Sequence, residues 1–118
     1  MMKEKQSFQL DFSNFVNAYV KNIGGKGPKE TEVRVTEDTI IYYLRGILTN
    51  REKILMETPE GKNVVLESRR LFMEQNKNYR LTQFEQFIGT KIIENFESWN
   101  LEADVAICVL RLEEKVFC

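Results

Sequence analysis

The stretch TIIYYLR, residues 39–45, decides the fold. It is rich in β-branched and aromatic residues, which favour an extended strand. Side chains alternate between the two faces of a strand. Here the two faces carry Ile40, Tyr42 and Leu44 on one side and Ile41 and Tyr43 on the other. Because both faces are apolar, we predict a strand at the centre of a sheet, covered on both sides.

The flanking segments predict the rest of the sheet. Glu32–Thr36 alternates and reads as a more polar strand, joined to the first by a turn at Glu37-Asp38. A second pair of strands, Thr90–Trp99 and Ala103–Leu112, is joined near Asn100. The last strand contains the apolar run VAICVL, so we place it beside residues 39–45 and the two polar strands at the edges.

Three helices complete the pattern. Apolar residues recur at helical spacing over Phe8–Ile23, and glycines followed by Pro28 end this helix. A short helix runs from Thr49 or Asn50 through Met56, and Thr58-Pro59 starts a long one over Glu60–Ile88 that Gly89 stops. The expected fold is a single α+β domain over residues 1–118. Its order is α-β-β-α-α-β-β, with a four-stranded, largely antiparallel sheet packed with helices.

The long helix carries polar residues inside its apolar face. Its apolar members are Val65, Leu66, Phe72, Met73, Phe84 and Phe87. Arg69 and Arg80 fall on the same side, about 16 Å apart at helical rise, so they cannot hold one small anion together. Each arginine is expected either to pair with a carboxylate or to extend its charged end to solvent at the rim of the apolar face. The apolar phase drifts around Asn76–Asn78, which predicts a bend or break there.

Composition excludes several classes of function. The chain has 118 residues, no histidine and a formal net charge of −1. The missing histidines remove the common nucleophile–base pairs and histidine zinc sites, and the charge gives no footprint for nucleic acid. We expect no catalytic residues, metal or cofactor, and rank a carboxylate hydrolase or transferase lowest. Cys108, in an apolar run, is expected to be a buried thiol, and Cys118 a thiol at a frayed end.

Neither a signal peptide nor an apolar run long enough to span a bilayer is found. We expect a cytoplasmic protein that inserts into no membrane and reaches the membrane's inner face only through a partner. Helices do not suffice to cover both faces of the sheet, so we also expect a homodimer.

Two places are candidate binding sites. The loop Gly25-Lys26-Gly27-Pro28 is either a plain helix-to-strand turn or an anion-binding nest of backbone N–H groups with lysine nearby. Its G-x-x-G pattern precedes a strand instead of joining two helices, which disfavours a KH RNA-binding loop. Arg69 is either one half of a structural ion pair or the anchor for an anionic ligand.

Four features in order resemble one family. They are Gly25-Lys26-Gly27-Pro28, Gly46-Ile47-Leu48-Thr49 with Glu52 three residues later, Glu67-Ser68-Arg69-Arg70, and Phe87-Ile88-Gly89. Together they resemble the MpsC-like family, over about residues 8–113. The resemblance implies a soluble component of a bacterial Na⁺-translocating, membrane-potential-generating system associated with inorganic-carbon uptake. Its other components are membrane proteins.

Two functions follow from these readings. The resemblance implies a non-enzymatic accessory or regulatory protein of that transport system, with membrane transporter subunits as partners. The alternative is a homodimeric sensor of a small anion or metabolite, with Gly25, Lys26, Gly27, Pro28 and Arg69 as its site. The family brings no established catalytic residue, so none is assigned.

Overall fold

The computed structural model describes residues 2–116 and confirms the α+β class and the element order. The helices and strands are α1 (Met2–Gly24), β1 (Glu30–Thr36), β2 (Thr39–Arg45), α2 (Asn50–Leu55), α3 (Pro59–Ile88), β3 (Ile92–Asn100) and β4 (Val105–Leu112). The chain forms two compact units. The sheet unit contains α1 and all four strands, and the helical unit, Leu48–Gly89, contains α2 and α3. The single domain over 1–118 stays a prediction.

The four strands form one antiparallel sheet in the order β1-β2-β4-β3. The two apolar strands are therefore central and the two polar strands are edges, as the sequence predicts. Thr39 lies opposite Arg111 and Arg45 opposite Val105, so β2 and β4 pair over their full shared length. A register shift between Ile92 and Glu94 interrupts the pairing at the start of β3.

One face of the sheet, here called the inner face, carries the core of this unit. Ile40, Leu110 and Val35 are almost completely buried on it. Helix α1 contributes Phe12 and Val16, both fully buried, and the Phe12 ring meets the Tyr42 ring edge-on at 5.8 Å between centroids. Edge-on aromatic contacts of this kind add to the gain from burial.

Helix α1 is longer than the sequence predicts, because it begins at Met2 and not at Phe8. The added residues, MKEKQS, show no apolar periodicity, so a search for an apolar stripe misses them. Cys108 is buried on the inner face, as expected, whereas Cys118 lies outside the described residues.

Within residues 2–116 the second face of the sheet is left partly exposed, which agrees with the expectation that helices do not suffice to cover both faces. Ile41 and Ile107 are each 37% exposed there, and Phe96 on the edge strand is 58% exposed. The apolar pattern fits a central strand equally well whether the covering layer belongs to the same chain or to another. We call this second surface the open face.

In the helical unit, α2 and α3 meet at a tight corner. Thr58 caps α3, its hydroxyl accepting a hydrogen bond from Gly61 N at 3.0 Å, and Pro59 follows at the first helical position. A Cβ on Gly61 would lie 1.7 Å from the carbonyl oxygen of Leu55, so only glycine allows α2 to end this close to α3.

Two details of the long helix differ from expectation. The helix runs unbroken from Pro59 to Ile88, so it does not break at Asn76–Asn78. Val65 and Phe84 are buried, yet Leu66, Phe72 and Phe87 are exposed. A drifting apolar phase can be accommodated by exposing part of the stripe, without a break in backbone hydrogen bonding. Gly89, in the left-handed conformation at φ 92°, ends the helix as predicted.

Candidate functional site

The glycine loop between α1 and β1 is a helix C-terminus followed by a close-packed turn. Gly25 adopts φ 79°, and its N–H donates to Lys21 O at 2.9 Å, which is the usual left-handed helix cap. The Gly25 N–H is thus already hydrogen-bonded to the end of α1. A Cβ on Gly27 would meet Asn17 O and the Lys21 Cβ at 3.7 Å, which is ordinary contact.

The two lysines of this segment reach the end of β2. The Lys26 ammonium donates to the carbonyl oxygen of Gly46. Gly46 adopts φ 69°, and a Cβ there would lie 2.6 Å from the side chain of Lys29. Lys29 N also donates to Arg45 O at 2.8 Å. The loop therefore closes over Gly46, and the Lys26 ammonium is engaged with a backbone carbonyl.

Asp104 holds the same strand end from the other side. It has a left-handed backbone, φ 56°, which aspartate tolerates better than most residues. Its carbonyl accepts from Gly46 N at 2.9 Å, and its carboxylate accepts from Ile47 N at 2.8 Å. This carboxylate thus replaces the strand partner that β2 loses where it ends.

Arg69, on α3, forms a two-pronged ion pair with Glu52 on α2. Arg69 Nε donates to Glu52 Oε2 at 2.8 Å, and Nη2 donates to Oε1 at 2.6 Å. Both side chains are about four-fifths buried, with 21% and 19% exposed. Paired geometry of this kind is the strongest arrangement of arginine with carboxylate.

Glu52 also completes the cap of α2. Its Oε1 accepts from Thr49 N at 3.0 Å, while Thr49 Oγ1 accepts from Glu52 N at 3.2 Å, which is a capping box. Burial raises the pKa of Glu52, but the Arg69 and Thr49 hydrogen bonds outweigh it and the net pKa lies below the usual value. One carboxylate therefore caps α2 and ties it to α3.

Arg80 is the most buried charged residue described, at 5% exposed. Its Nη1 lies within hydrogen-bond distance of Met73 O at 3.3 Å and of Asn76 Oδ1 at 3.4 Å. These partners lie in the preceding turns of α3, so Arg80 folds back along its own helix.

The sequence-predicted site is divided between the two units. Gly25, Lys26, Gly27 and Pro28 belong to the sheet unit, and Arg69 belongs to the helical unit. Sequence reasoning missed the partners Gly46, Asp104 and Glu52. The signal for Glu52 was present, because Thr49 followed by glutamate at the third position is a capping-box pattern. No comparable local pattern points to Asp104, which acts 57 residues away.

A further feature of α3 is an exposed apolar stripe, formed by Val64, Leu71, Phe72 and Tyr79. These side chains are between 42% and 57% exposed. At 3.6 residues per turn they span about 100° of the helix, the width typical of a face that packs on another element. Glu67 and Glu74 lie beside the stripe on the helix, and both pair with Arg70, which lies farther around the helix.

Neither a metal-binding cluster nor a membrane-spanning helix is found within residues 2–116. Residues 2–116 include no group of three or more cysteine, aspartate or glutamate side chains placed to hold a metal ion. In the same range, every helix is too short or too polar to cross a membrane.

Comparison with known proteins gives one family and one relative. Residues 4–114 match the family described as "Na+-translocating membrane potential-generating system (MpsC)". The uncharacterized protein YrhF of Bacillus subtilis (strain 168) is 23% identical over 107 residues, covering 90% of this chain and 88% of YrhF. No solved structure gives a significant match.

Proposed function

Since the chain belongs to the MpsC family, we propose that it is a non-enzymatic accessory or regulatory protein of a bacterial membrane-potential-generating transport system. It acts from the cytoplasm and reaches the inner face of the membrane by binding a membrane subunit of that system. Sodium and inorganic carbon are then cargo of the membrane subunits. The match over nearly the whole chain is the observation that carries this proposal.

The polar contacts of Arg69 and Lys26 disfavour a catalytic or small-ligand site and so support the accessory role. The guanidinium of Arg69 is held on both prongs by Glu52, and the ammonium of Lys26 is held by the Gly46 carbonyl. A side chain that serves catalysis or ligand binding has to present its donors to the ligand. Here both donors are directed into the chain's own structure, where they stabilise the α2–α3 corner and the end of β2.

The α3 stripe is the surface that we propose for the membrane subunit. Val64, Leu71, Phe72 and Tyr79 present apolar and aromatic area to solvent, bordered on one side by Glu67 and Glu74. An apolar centre with a charged border is typical of protein interfaces, and aromatic residues are enriched in them. The partner segment is expected to be an apolar, cytoplasm-facing helix or loop of the subunit.

Affinity capture from the encoding bacterium tests the proposal. Tagged wild-type chain, Leu71→Glu and Lys77→Glu are each expressed at native level, and membranes are solubilised in mild detergent. Lys77 is exposed on the opposite side of α3, so its variant controls for added negative charge. We expect wild type and Lys77→Glu to recover a polytopic membrane subunit. Leu71→Glu should recover about tenfold less, because it buries a charge in an apolar contact.

Failure of wild type to recover a membrane protein would overturn the accessory role. Equal recovery by Leu71→Glu would leave the role standing and overturn the assignment of the stripe.

The alternative, a sensor of a small anion, has less support. It rests on the left-handed Gly25 and the nearby lysines, which is geometry found in anion nests. Thermal melts with bicarbonate, phosphate and a nucleotide test it directly, since a ligand that binds only the folded state raises Tm. A rise that Lys26→Met abolishes would favour the sensor. Unchanged melts would favour the accessory role.

A further inference from the structure

The open face of the sheet has an apolar centre and a charged border. Its central strands contribute Ile41, Tyr43, Ile107 and Val109, and β3 adds the highly exposed Phe96. The edge strand β1 contributes Glu32 and Arg34 to the same face. The guanidinium of Arg45 lies over the Tyr43 ring, 4.6 Å from its centroid. β-branched and aromatic residues of this kind usually form the interior of a two-sheet sandwich.

The strand register arranges these side chains in two adjacent rows. One row reads Arg34, Ile41, Val109, Phe96 across the four strands. The next row reads Glu32, Tyr43, Ile107, Ser98. Each row has a charge on β1 and apolar residues on the central strands, and the two charges have opposite sign.

We propose that the open face binds a second copy of this chain, sheet against sheet, through a two-fold axis. The axis lies in the plane between the two sheets, midway between the two rows and parallel to them, and so runs at right angles to the strands. Such an axis places each row over the other row of the partner. Ile41 then covers the partner's Tyr43, Val109 covers the partner's Ile107, and Arg34 lies over the partner's Glu32. Aligned strands in facing sheets are the common sandwich geometry.

Charge is the reason for choosing a second copy over a different protein. A two-fold interface is self-complementary, so the same patch must supply both halves of every contact. Glu32 and Arg34 satisfy this requirement in adjacent rows, and their own pair within the chain, at 3.9 Å, is long and exposed. Both side chains are more than half exposed and can turn toward a partner.

The size of the face predicts a dimer that dissociates readily. Four strands of about seven residues give about 19 Å by 24 Å, or about 450 Å² per copy and about 900 Å² for two. Stable interfaces bury about 1,200–2,000 Å² in total, so a Kd on the order of 1–100 μM is expected. The proposal uses residues of the sheet unit alone and is independent of the α3 stripe.

Sedimentation equilibrium over a concentration series tests the proposal with charge swaps. In R34E and in E32R, like charges face each other twice across the axis, and Kd should rise about tenfold or more. The double variant R34E/E32R restores both contacts and should return Kd to within about threefold of wild type. These side chains are exposed, so folding is expected to be unchanged, and circular dichroism checks it.

Mixing the two single variants gives the sharpest result. In the mixed pair, both charge contacts are again opposite in sign, so R34E and E32R should associate with each other more tightly than with themselves. Ile107→Lys should also dissociate the dimer, whereas Leu71→Glu on α3 should leave it unchanged.

Three outcomes would overturn the proposal. The first is a wild-type chain that stays monomeric up to about 500 μM, well above the expected Kd range. The second is a dimer that ignores both charge swaps and Ile107→Lys. The third is a dimer that Leu71→Glu dissociates, since association would then use the helical unit.

Discussion

The two units of this chain are stabilised in different ways. The sheet unit is held by burial: Phe12 and Val16 from α1 pack on alternate residues of the strands, and most of the core lies here. In the described part of the helical unit, the buried apolar side chains are Leu48, Val65 and Phe84. That unit has instead a capping box, a two-pronged ion pair and a glycine contact at the α2–α3 corner.

The difference has a consequence for how each unit tolerates change. The free energy gained by burial is roughly proportional to the apolar area removed from water, and a core tolerates substitutions of similar size. Directional contacts depend on particular atoms, so the exchange of one group for a similar one removes the whole contact. We therefore expect the sheet unit to respond to lost volume and the helical unit to respond to lost chemistry.

The largest effect is expected for Phe12→Ala in the sheet unit. Phe12 is 0% exposed and touches the Tyr42 ring, so truncation leaves a cavity. The free energy of unfolding should fall by about 3–5 kcal/mol, measured by urea denaturation. Phe12→Leu is the matched control and should cost less than half as much. Equal losses for both variants would contradict a volume-based account of this core.

The next effect is expected for Arg69→Ala in the helical unit. It leaves the carboxylate of Glu52 mostly buried without its guanidinium, and the free energy of unfolding should fall by about 2–3 kcal/mol. Arg69→Lys should recover less than half, because a lysine cannot form the two-pronged contact.

Arg70 offers a control one residue away. It pairs with Glu67 and Glu74, but these side chains are about half exposed. Arg70→Ala should lower the free energy of unfolding far less than Arg69→Ala does, since solvent screens such pairs. Similar losses for Arg69→Ala and Arg70→Ala would remove the distinction between the two pairs. That result would also favour the other interpretation of Arg69, as the anchor for an anionic ligand.

A smaller effect is expected for Gly61→Ala at the α2–α3 corner. The added Cβ meets the Leu55 carbonyl oxygen, a backbone atom that yields only if α2 shifts. The cost should be about 1–3 kcal/mol, although alanine is the better helix former. Hydrogen exchange should show lost protection within residues 50–61 and not in the strands. Increased stability would show that the two helices are not in close contact there.

Features that depend on local sequence patterns could be predicted in both units. The bounds of β2, Thr39–Arg45, and the central positions of β2 and β4 agree with the prediction. Side chains alternate between the two faces of a strand, so the sequence shows directly which faces are apolar. The caps of α3 at Thr58 and Gly89 were also predicted, since capping is local in sequence.

What could not be predicted depends on distant partners. The pairing of Arg69 with one particular carboxylate, Glu52, joins residues 17 apart on two helices, and the sequence offers many acidic alternatives. Asp104 and Gly46 meet only after β4 has paired with β2. For the second face of the sheet, the apolar pattern predicts a covered surface but does not show which chain covers it.

The smallest effect expected is the pH dependence that Glu52 contributes. Its pKa in the folded chain lies below the usual value of 4.5, because hydrogen bonds from Arg69 and Thr49 outweigh the opposing effect of burial. A carboxyl group with a lowered folded pKa stabilises the fold above its unfolded pKa. That contribution is lost as the pH falls through the folded pKa. Stability should therefore decline below about pH 4.5.

The ¹³C chemical shift of the Glu52 carboxyl group, followed from pH 7 to pH 2, measures this pKa directly. In Arg69→Ala the two arginine contacts are gone while burial remains, so the pKa of Glu52 should rise relative to wild type. The decline in stability on acidification should then become smaller. Arg70→Ala, which leaves the Glu52 contacts in place, should not move the Glu52 pKa. An unchanged Glu52 pKa in Arg69→Ala would mean that the ion pair does not form in solution. The helical unit would then depend on its caps, on the close contact at Gly61 and on its buried apolar side chains.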